Sequence, residues 1–192
     1  GERVVSNSDR DNYFARAHAY DFFFSGALGG HVFGSGSFGG DTKGEPVFTV
    51  APGWPYIWQT LNMPIITQAG FLLDFVFSEG LRYQKLELAS HDLSKPRTAA
   101  IKMDEWSFLL RDPERTLALL YFEDKAVRQT IRGMIPGKRY LAQWYDPRTG
   151  TWSAMKGGVL FADKNGILEL PPFPSGKDVA DKDWAAKLKL IE

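Results

Sequence analysis

The run YLAQWYDPRTGTWSAM, residues 140–155, reads as two strands joined by a tight turn. Pro147 fixes φ at the turn and Gly150 can take a positive one, so residues 140–146 and 151–155 are expected to pair as a hairpin. The same reading extends in both directions. Upstream lie TAAIKM (98–103), WSFLLR (106–111), RTLALLYFE (115–123) and RQTIRG (128–133), and the first hairpin strand itself begins at KR (138–139). Downstream come GVLFA (158–162), a DKNG turn (163–166), ILEL (167–170) and WAAKLKLIE (184–192). Short strands at this spacing, separated by turn residues, predict an antiparallel β-sandwich over residues 98–192. Trp106, Trp144, Trp152 and Trp184 are its large apolar contributors.

The period changes at SHDLSKPR, residues 90–97. Before it, SDRDNYFARAHAYDFFFSG (8–26) starts at Ser8 or Asp9 as N-cap, sets Tyr13, Ala17, Tyr20 and Phe24 on one helical face, and stops at Gly26. A second helix is expected in NMPIITQAGFLLDFVFSEG (62–80), with Pro64 in its first turn, Ile65, Ala69, Leu72, Leu73 and Val76 as the buried stripe, and Gly80 as the stop. Between them, GGHVF (29–33) is long enough for one short buried strand.

Composition narrows the function classes. The 192 residues carry 23 Lys and Arg against 23 Asp and Glu, so no net field gathers a polyanion, and nucleic acid is not an expected partner. No apolar run reaches the ~18 residues that a membrane-crossing helix needs, so no membrane partner is expected either. There is no cysteine, and His18, His31 and His91 are the three histidines, too few for a structural zinc site; no metal and no cofactor is expected.

Two apolar-faced helices flanking a single strand need further partners, because a lone strand offers no row of hydrogen-bonding groups beside it. A strand, a glycine-rich loop and a helix, followed by an all-β module, are what the end of a (β/α)8 barrel with an appended sandwich would look like. The expected fold class is therefore α/β plus all-β: a barrel fragment over residues 1–97, the C-terminal part of a (β/α)8 barrel, followed by the sandwich over 98–192, with the missing barrel residues upstream.

Four runs, RAHAYDFFFSGALGGHVFGS (16–35), WQTLNMPIITQAGFLLDFVFS (58–78), YLAQWYDPRTGTW (140–152) and DWAAKLKL (183–190), resemble in that order the C-terminal half of the apiosidase-like glycoside hydrolases. Those are barrels followed by a small β-domain that carries a collagen-binding label. Phe33 stands where that family often has Tyr, and the glycine-rich segment between Gly34 and Trp54 is a further departure. The resemblance implies a glycan substrate, a plant polysaccharide or another glycan, and an extracellular or periplasmic location.

The loop GALGGHVFGSGSFGGDTKGE (26–45) has no GKS or GKT, which argues against a phosphate cradle. It remains either a plain connection or part of the C-terminal rim of the barrel, where active sites of that fold lie. On the rim reading, His31 and Asp41 are candidate contacts to sugar hydroxyls and Trp54 a candidate platform for a sugar ring. Glu45 could contact a hydroxyl in the same way, and Tyr56 and Trp58 could offer a face to a ring; the alternatives are a packed core histidine, solvated loop carboxylates, and aromatics used for packing, as for Trp58 against the helix before Pro64. Glycoside hydrolysis needs two carboxyl groups about 5–10 Å apart. No catalytic residue is assigned: Glu2 begins the chain without a strand to fix it, and the family's carboxylates sit on earlier barrel strands. The expectation is the C-terminal portion of a glycoside hydrolase, inactive by itself and contributing a cleft wall and an accessory domain. The alternative is a non-catalytic module that binds glycan or collagen.

Overall fold

The computed structural model describes residues 9–27, 62–96 and 104–191. Its centre is a six-stranded antiparallel sheet in the order β1-β2-β3-β8-β5-β6, formed by β1 (Glu87–Leu88), β2 (Ser107–Arg111), β3 (Leu117–Phe122), β5 (Arg139–Asp146), β6 (Thr151–Phe161) and β8 (Trp184–Leu190). A two-stranded sheet of β4 (Thr130–Ile131) and β7 (Leu168–Glu169) completes the β-structure among the described residues. The architecture is sandwich-like, with few helices. The expected strand over 98–103 and the GGHVF strand lie outside the described residues.

The hairpin forms as the sequence predicts. Asp146 C=O accepts from the Gly150 N–H at 2.9 Å, and Asp146 Oδ1 accepts from the Arg148 N–H at 2.8 Å. Gly150 takes φ +69°, which a side chain would strain. One difference is instructive. The runs TWSAM and GVLFA, read as two strands, are one strand, β6, whose pairing with β5 jumps from Gln143↔Ala154 to Leu141↔Val159. Gly157 and Gly158, both at positive φ, absorb the surplus residues as a bulge, so the glycines bend the strand instead of ending it.

Alternation along the strands splits the sheet into two apolar faces. Leu109, Ala118, Leu120, Phe122, Ala142, Trp144, Ala186 and Leu188 face β4, β7 and the loops carrying Leu93, Met134 and Phe173. Phe108, Leu110, Leu117, Leu119, Tyr121, Tyr145 and Ala185 face the opposite way, onto the two helices. Helix α1 (Asp9–Phe24) ends as expected: Gly26 adopts φ +96°, and the Gly26 and Ala27 N–H groups donate to Phe23 and Phe22 C=O, a Schellman closure. Helix α2 (Pro64–Val76) starts on Pro64 and runs on into 3-10 turns over Phe77–Lys85, broken at Gly80.

Tyr20, Phe23 and Phe24 of α1 and Leu72, Phe75 and Val76 of α2 bury against the sheet. Each fully buried large side chain contributes roughly 1.5–3 kcal/mol. The stripe on α2 differs from the expected one: Leu73 is 57% exposed and Ala69 is half-buried, while Phe75 is fully buried. Leu73 is turned about 100° from Leu72 on the helix, which takes it off the sheet. The sheet's second face supplies part of the cover inferred to be missing for the helices. β2 and β3 are buried on both sides, and this explains why FLLR and LALLYF read as continuous apolar runs without alternation.

Candidate functional site

The three sugar-contact candidates, His31, Asp41 and Trp54, lie outside the described residues, as do Glu2, Glu45, Tyr56 and Trp58. His18 is half-buried on α1 with its ring edge on Phe22, centroids 5.9 Å apart. The His91 side chain is 77% exposed and lies 3.8 Å from Asp92. What the structure assembles is a polar seam where the helices meet the sheet, built from residues the sequence reading had not singled out.

At its centre is Asp183, fully buried just before β8. Arg16, on the buried side of α1, grips its carboxylate with two hydrogen bonds, Nε to Oδ2 and Nη2 to Oδ1, both 2.7 Å. This two-pronged geometry suits a planar guanidinium and not a lysine. Arg148, held out by the β5–β6 turn, adds Nη1 to Oδ1 at 3.1 Å and Nη1 to the Asp183 C=O at 2.5 Å. Its guanidinium lies over the Trp184 ring, 4.7 Å from the centroid, and also pairs with Asp146 at 2.8 Å. Tyr121 OH approaches Asp183 Oδ2 at 3.3 Å, and Arg16 Nη1 donates to Gln68 Oε1 of α2 at 2.6 Å. One carboxylate thus ties together α1, α2, the hairpin turn and β8. Burial works against the Arg16 cation, but the bonded Asp183 carboxylate outweighs it and holds the guanidinium above its ordinary pKa.

A second group sits at the end of β3. Glu123 is 1% exposed, and its Oε2 accepts from the Trp106 N–H at 3.0 Å. Burial pushes the Glu123 carboxyl up to about 7, against the bond from the Trp106 N–H that favours its charged form, and the nearby charges of Asp104 and Asp183 add to the rise. Tyr13 of α1 accepts from the Asp124 N–H at 3.2 Å, and burial raises its hydroxyl far above the ordinary range.

A third group crosses the sheet near its helix-side rim. Glu79 accepts from Lys187 at 2.9 Å and Lys189 at 2.7 Å, and Lys187 lies over the Trp152 ring at 4.5 Å. Burial disfavours the Glu79 charge, but the two lysines win and hold its carboxyl below the ordinary range.

Neither buried carboxyl group is placed to act on a substrate. Asp183 is closed to solvent and its oxygens are bonded to arginines; Glu123 keeps a proton near neutrality but faces the interior. Among the described residues no group of three His, Asp or Glu side chains is arranged to hold a metal ion, and no helix is long and apolar enough to cross a membrane. An open groove of about 650 Å³ lies at the start of the β-structure, lined by Ser94, Lys95, Pro96, Glu105, Lys125, Val127 and Val179, with no aromatic platform among the described residues.

No family model and no curated protein matches the chain. Solved structures do. A glycoside hydrolase superimposes with a TM-score of 0.66 at 15% identity, over 93% of this chain and 36% of its own. A glycoside hydrolase family 5 protein from Bacteroides vulgatus ATCC 8482 gives 0.63 at 16% identity, with the same two coverages of 93% and 36%. The chain has a glycoside hydrolase-like fold. It spans about a third of the length of these two neighbours. The likeness takes in nearly the whole chain, so helices and sheet are matched together and not the sheet alone.

Proposed function

We propose that the chain is the C-terminal portion of a carbohydrate-active glycoside hydrolase of the apiosidase-like kind. In this reading residues 1–97 complete a (β/α)8 barrel and supply one wall of its substrate cleft, and residues 98–192 are an accessory β-domain. The observation that carries it is the joint likeness of helices and sheet to two glycoside hydrolases of nearly three times the length. The helices support it independently. α2 packs one side on the sheet, yet Ile66 and Leu73 on its other side, and Phe77 just beyond it, are 36%, 57% and 46% exposed. A helix that is apolar on two sides is built to be covered on both. The remainder of a barrel is the cover this reading assigns. The substrate is then a glycan, a plant polysaccharide or another, in an extracellular or periplasmic setting. His31, Asp41 and Trp54 are its candidate contacts here, and the catalytic carboxyl pair lies on the missing barrel strands.

A module that binds collagen or glycan by itself would need exposed aromatics to hold an extended chain. Among the described residues Trp144 and Trp184 are buried and Trp106 and Trp152 half-buried, and the exposed aromatics Phe22, Phe77 and Phe161 lie on three separate elements, which favours the enzyme reading. The test compares hydrolysis of aryl glycosides by the 192-residue chain and by the same chain with the residues encoded upstream. Turnover by the longer protein only is expected. Turnover by the short chain, or an upstream reading frame without two barrel carboxylates, would overturn the proposal.

A further inference from the structure

The sheet face that carries the helices is only partly covered by them. Residues paired across neighbouring strands share a face, so Leu141 of β5 stands beside Val159 of β6 and Lys189 of β8, Gln143 beside Lys187, and Arg139 beside Phe161. Glu79, in the turns after α2, accepts from Lys187 at 2.9 Å and Lys189 at 2.7 Å. Beyond it Leu141, Val159 and Phe161 are 38%, 40% and 60% exposed, a row of apolar side chains on β5 and the edge strand β6. The charges on this patch are one-sided. Lys156, which follows Met155 of the opposite face, joins Arg139, Lys187 and Lys189, and no position of β5, β6 or β8 on this face holds an acid. The whole chain balances 23 cations against 23 acids, so the excess is local.

We propose that this patch binds an acidic glycan, a chain whose sugar rings carry carboxylates, with Phe161 against a ring and Arg139, Lys156 and Lys189 toward the carboxylates. The apolar face of a sugar ring suits a flat aromatic, and a guanidinium fork matches a carboxylate. A neutral glycan would need more rings than the single Phe161 offers; carboxylates add the charge attraction that four cations on one face are placed to supply. An acidic peptide would instead add to the sheet edge through backbone bonds, and the bulge at Gly157 and Gly158 breaks that row. The choice of a glycan rests on the glycoside hydrolase reading; the charge and the apolar row do not. The patch belongs to the β-domain, outside the residues proposed for the cleft wall.

The test is calorimetric titration of the 192-residue chain with a mannuronate hexamer, a galacturonate hexamer, the neutral mannose hexamer and hexaglutamate. At least one uronate hexamer should bind, about tenfold or more tighter than the mannose hexamer and hexaglutamate, and should lose affinity several-fold as salt rises. Phe161→Ala should weaken it about tenfold and Arg139→Gln about fivefold. Lys177→Gln removes a cation exposed in the loop before β8 and should leave binding unchanged. Absence of uronate binding, equal binding of the mannose hexamer or hexaglutamate, or equal losses in Lys177→Gln and Arg139→Gln would overturn the proposal. If a variant does not fold, methyl shifts of the natural chain decide: uronate should move Leu141 and Val159, and shifts confined elsewhere refute the patch. The longer protein should bind as the short chain does; loss of binding there would mean that barrel residues occupy the patch, and would refute it. Binding is read without turnover, so the two readings fail separately. Uronate binding without hydrolysis by the longer protein sinks only the hydrolase reading, and hydrolysis without uronate binding sinks only the patch.

Discussion

Replacing Arg16 with Met tests whether the Asp183 cluster holds the helices to the sheet. The methionine keeps an unbranched apolar stem on α1 but removes both bonds to Asp183, at 2.7 Å each, and the bond to Gln68 at 2.6 Å. Breaking a buried ion pair by removing one partner costs about 3–5 kcal/mol, because the other charge is left uncompensated. Here Arg148 at 3.1 Å and Tyr121 at 3.3 Å stay on the Asp183 carboxylate, which places the cost near the lower figure, about 3 kcal/mol. With a urea m-value of about 3 kcal/mol/M, the midpoint should fall by about 1 M. Asp183→Asn should cost a similar amount, since it leaves two guanidinium groups facing a neutral amide. The double variant should cost clearly less than the sum, by about 1–3 kcal/mol, because the two residues act on one another. Hydrogen exchange should show the loss first in α1 and not in β3 or β8. If Arg16→Met costs under about 1 kcal/mol and the cycle shows no coupling, the cluster is an ornament on an apolar seam and the argument fails.

Three further outcomes follow from separate features. Gly150→Ala should lower stability by about 1–3 kcal/mol in thermal unfolding, since the residue sits at φ +69° and a Cβ there would lie 2.6 Å from Phe71 Cδ1. Leu73→Glu and Phe77→Glu should each change the stability of this chain by no more than about 0.5 kcal/mol, yet destabilise the longer protein; equal effects in both would remove the barrel as the cover for that face. Asp112→Asn addresses the acid side. Burial disfavours the Asp112 charge, but Thr116 Oγ1 at 2.6 Å and the Leu117 and Thr116 N–H groups at 2.9 and 2.6 Å outweigh it and hold the carboxyl below its ordinary range. Its stabilisation is therefore complete above about pH 4 and lost as pH falls through the lowered value. The natural chain should lose more stability than Asp112→Asn on acidification from pH 5 to 2, and similar losses would refute the assignment.

The strands were legible because alternation and turn chemistry are local. Asp146, Pro147 and Gly150 mark one turn within five residues, and Asp163 and Gly166 mark another. Asp163 Oδ1 accepts from the Asn165 and Ile167 N–H groups at 2.8 Å each, as an Asx turn does. The α1 stop at Gly26 was equally local. What covers α1 was not. LALLYF has no alternation because both of its faces are buried, and a run of that kind says that two layers exist without saying which ones. Arg16 likewise read as an ordinary helical arginine, since its partner is 167 residues away and nothing near either residue marks the pair. The candidate sugar contacts differ again: they were drawn from the glycine-rich loop and the segment after it, and their positions lie outside the described residues.

That contrast bears on why charges stand in this seam at all. Contact between Tyr20, Phe24 and Phe75 on one side and Tyr121 and Tyr145 on the other is strong but not directional, and such a face accepts more than one angle and register. The ring pairs across it are spread from 4.6 Å for Tyr20–Tyr121 to 6.4 Å for Phe24–Phe108. The Arg16–Asp183 fork tolerates no such spread, because two parallel bonds to one carboxylate fix both the rotation of α1 and its position along the axis. Gln68 extends that constraint to α2, and Arg148 extends it to the hairpin. Tested by the Arg16→Met and Asp183→Asn cycle, this division assigns adhesion to the aromatic layer and alignment to the ion cluster. If, as proposed, these helices carry one wall of a barrel's cleft, alignment is the property that function would depend on, and an apolar replacement of the pair that restored stability should still leave α1 without a single orientation on the sheet.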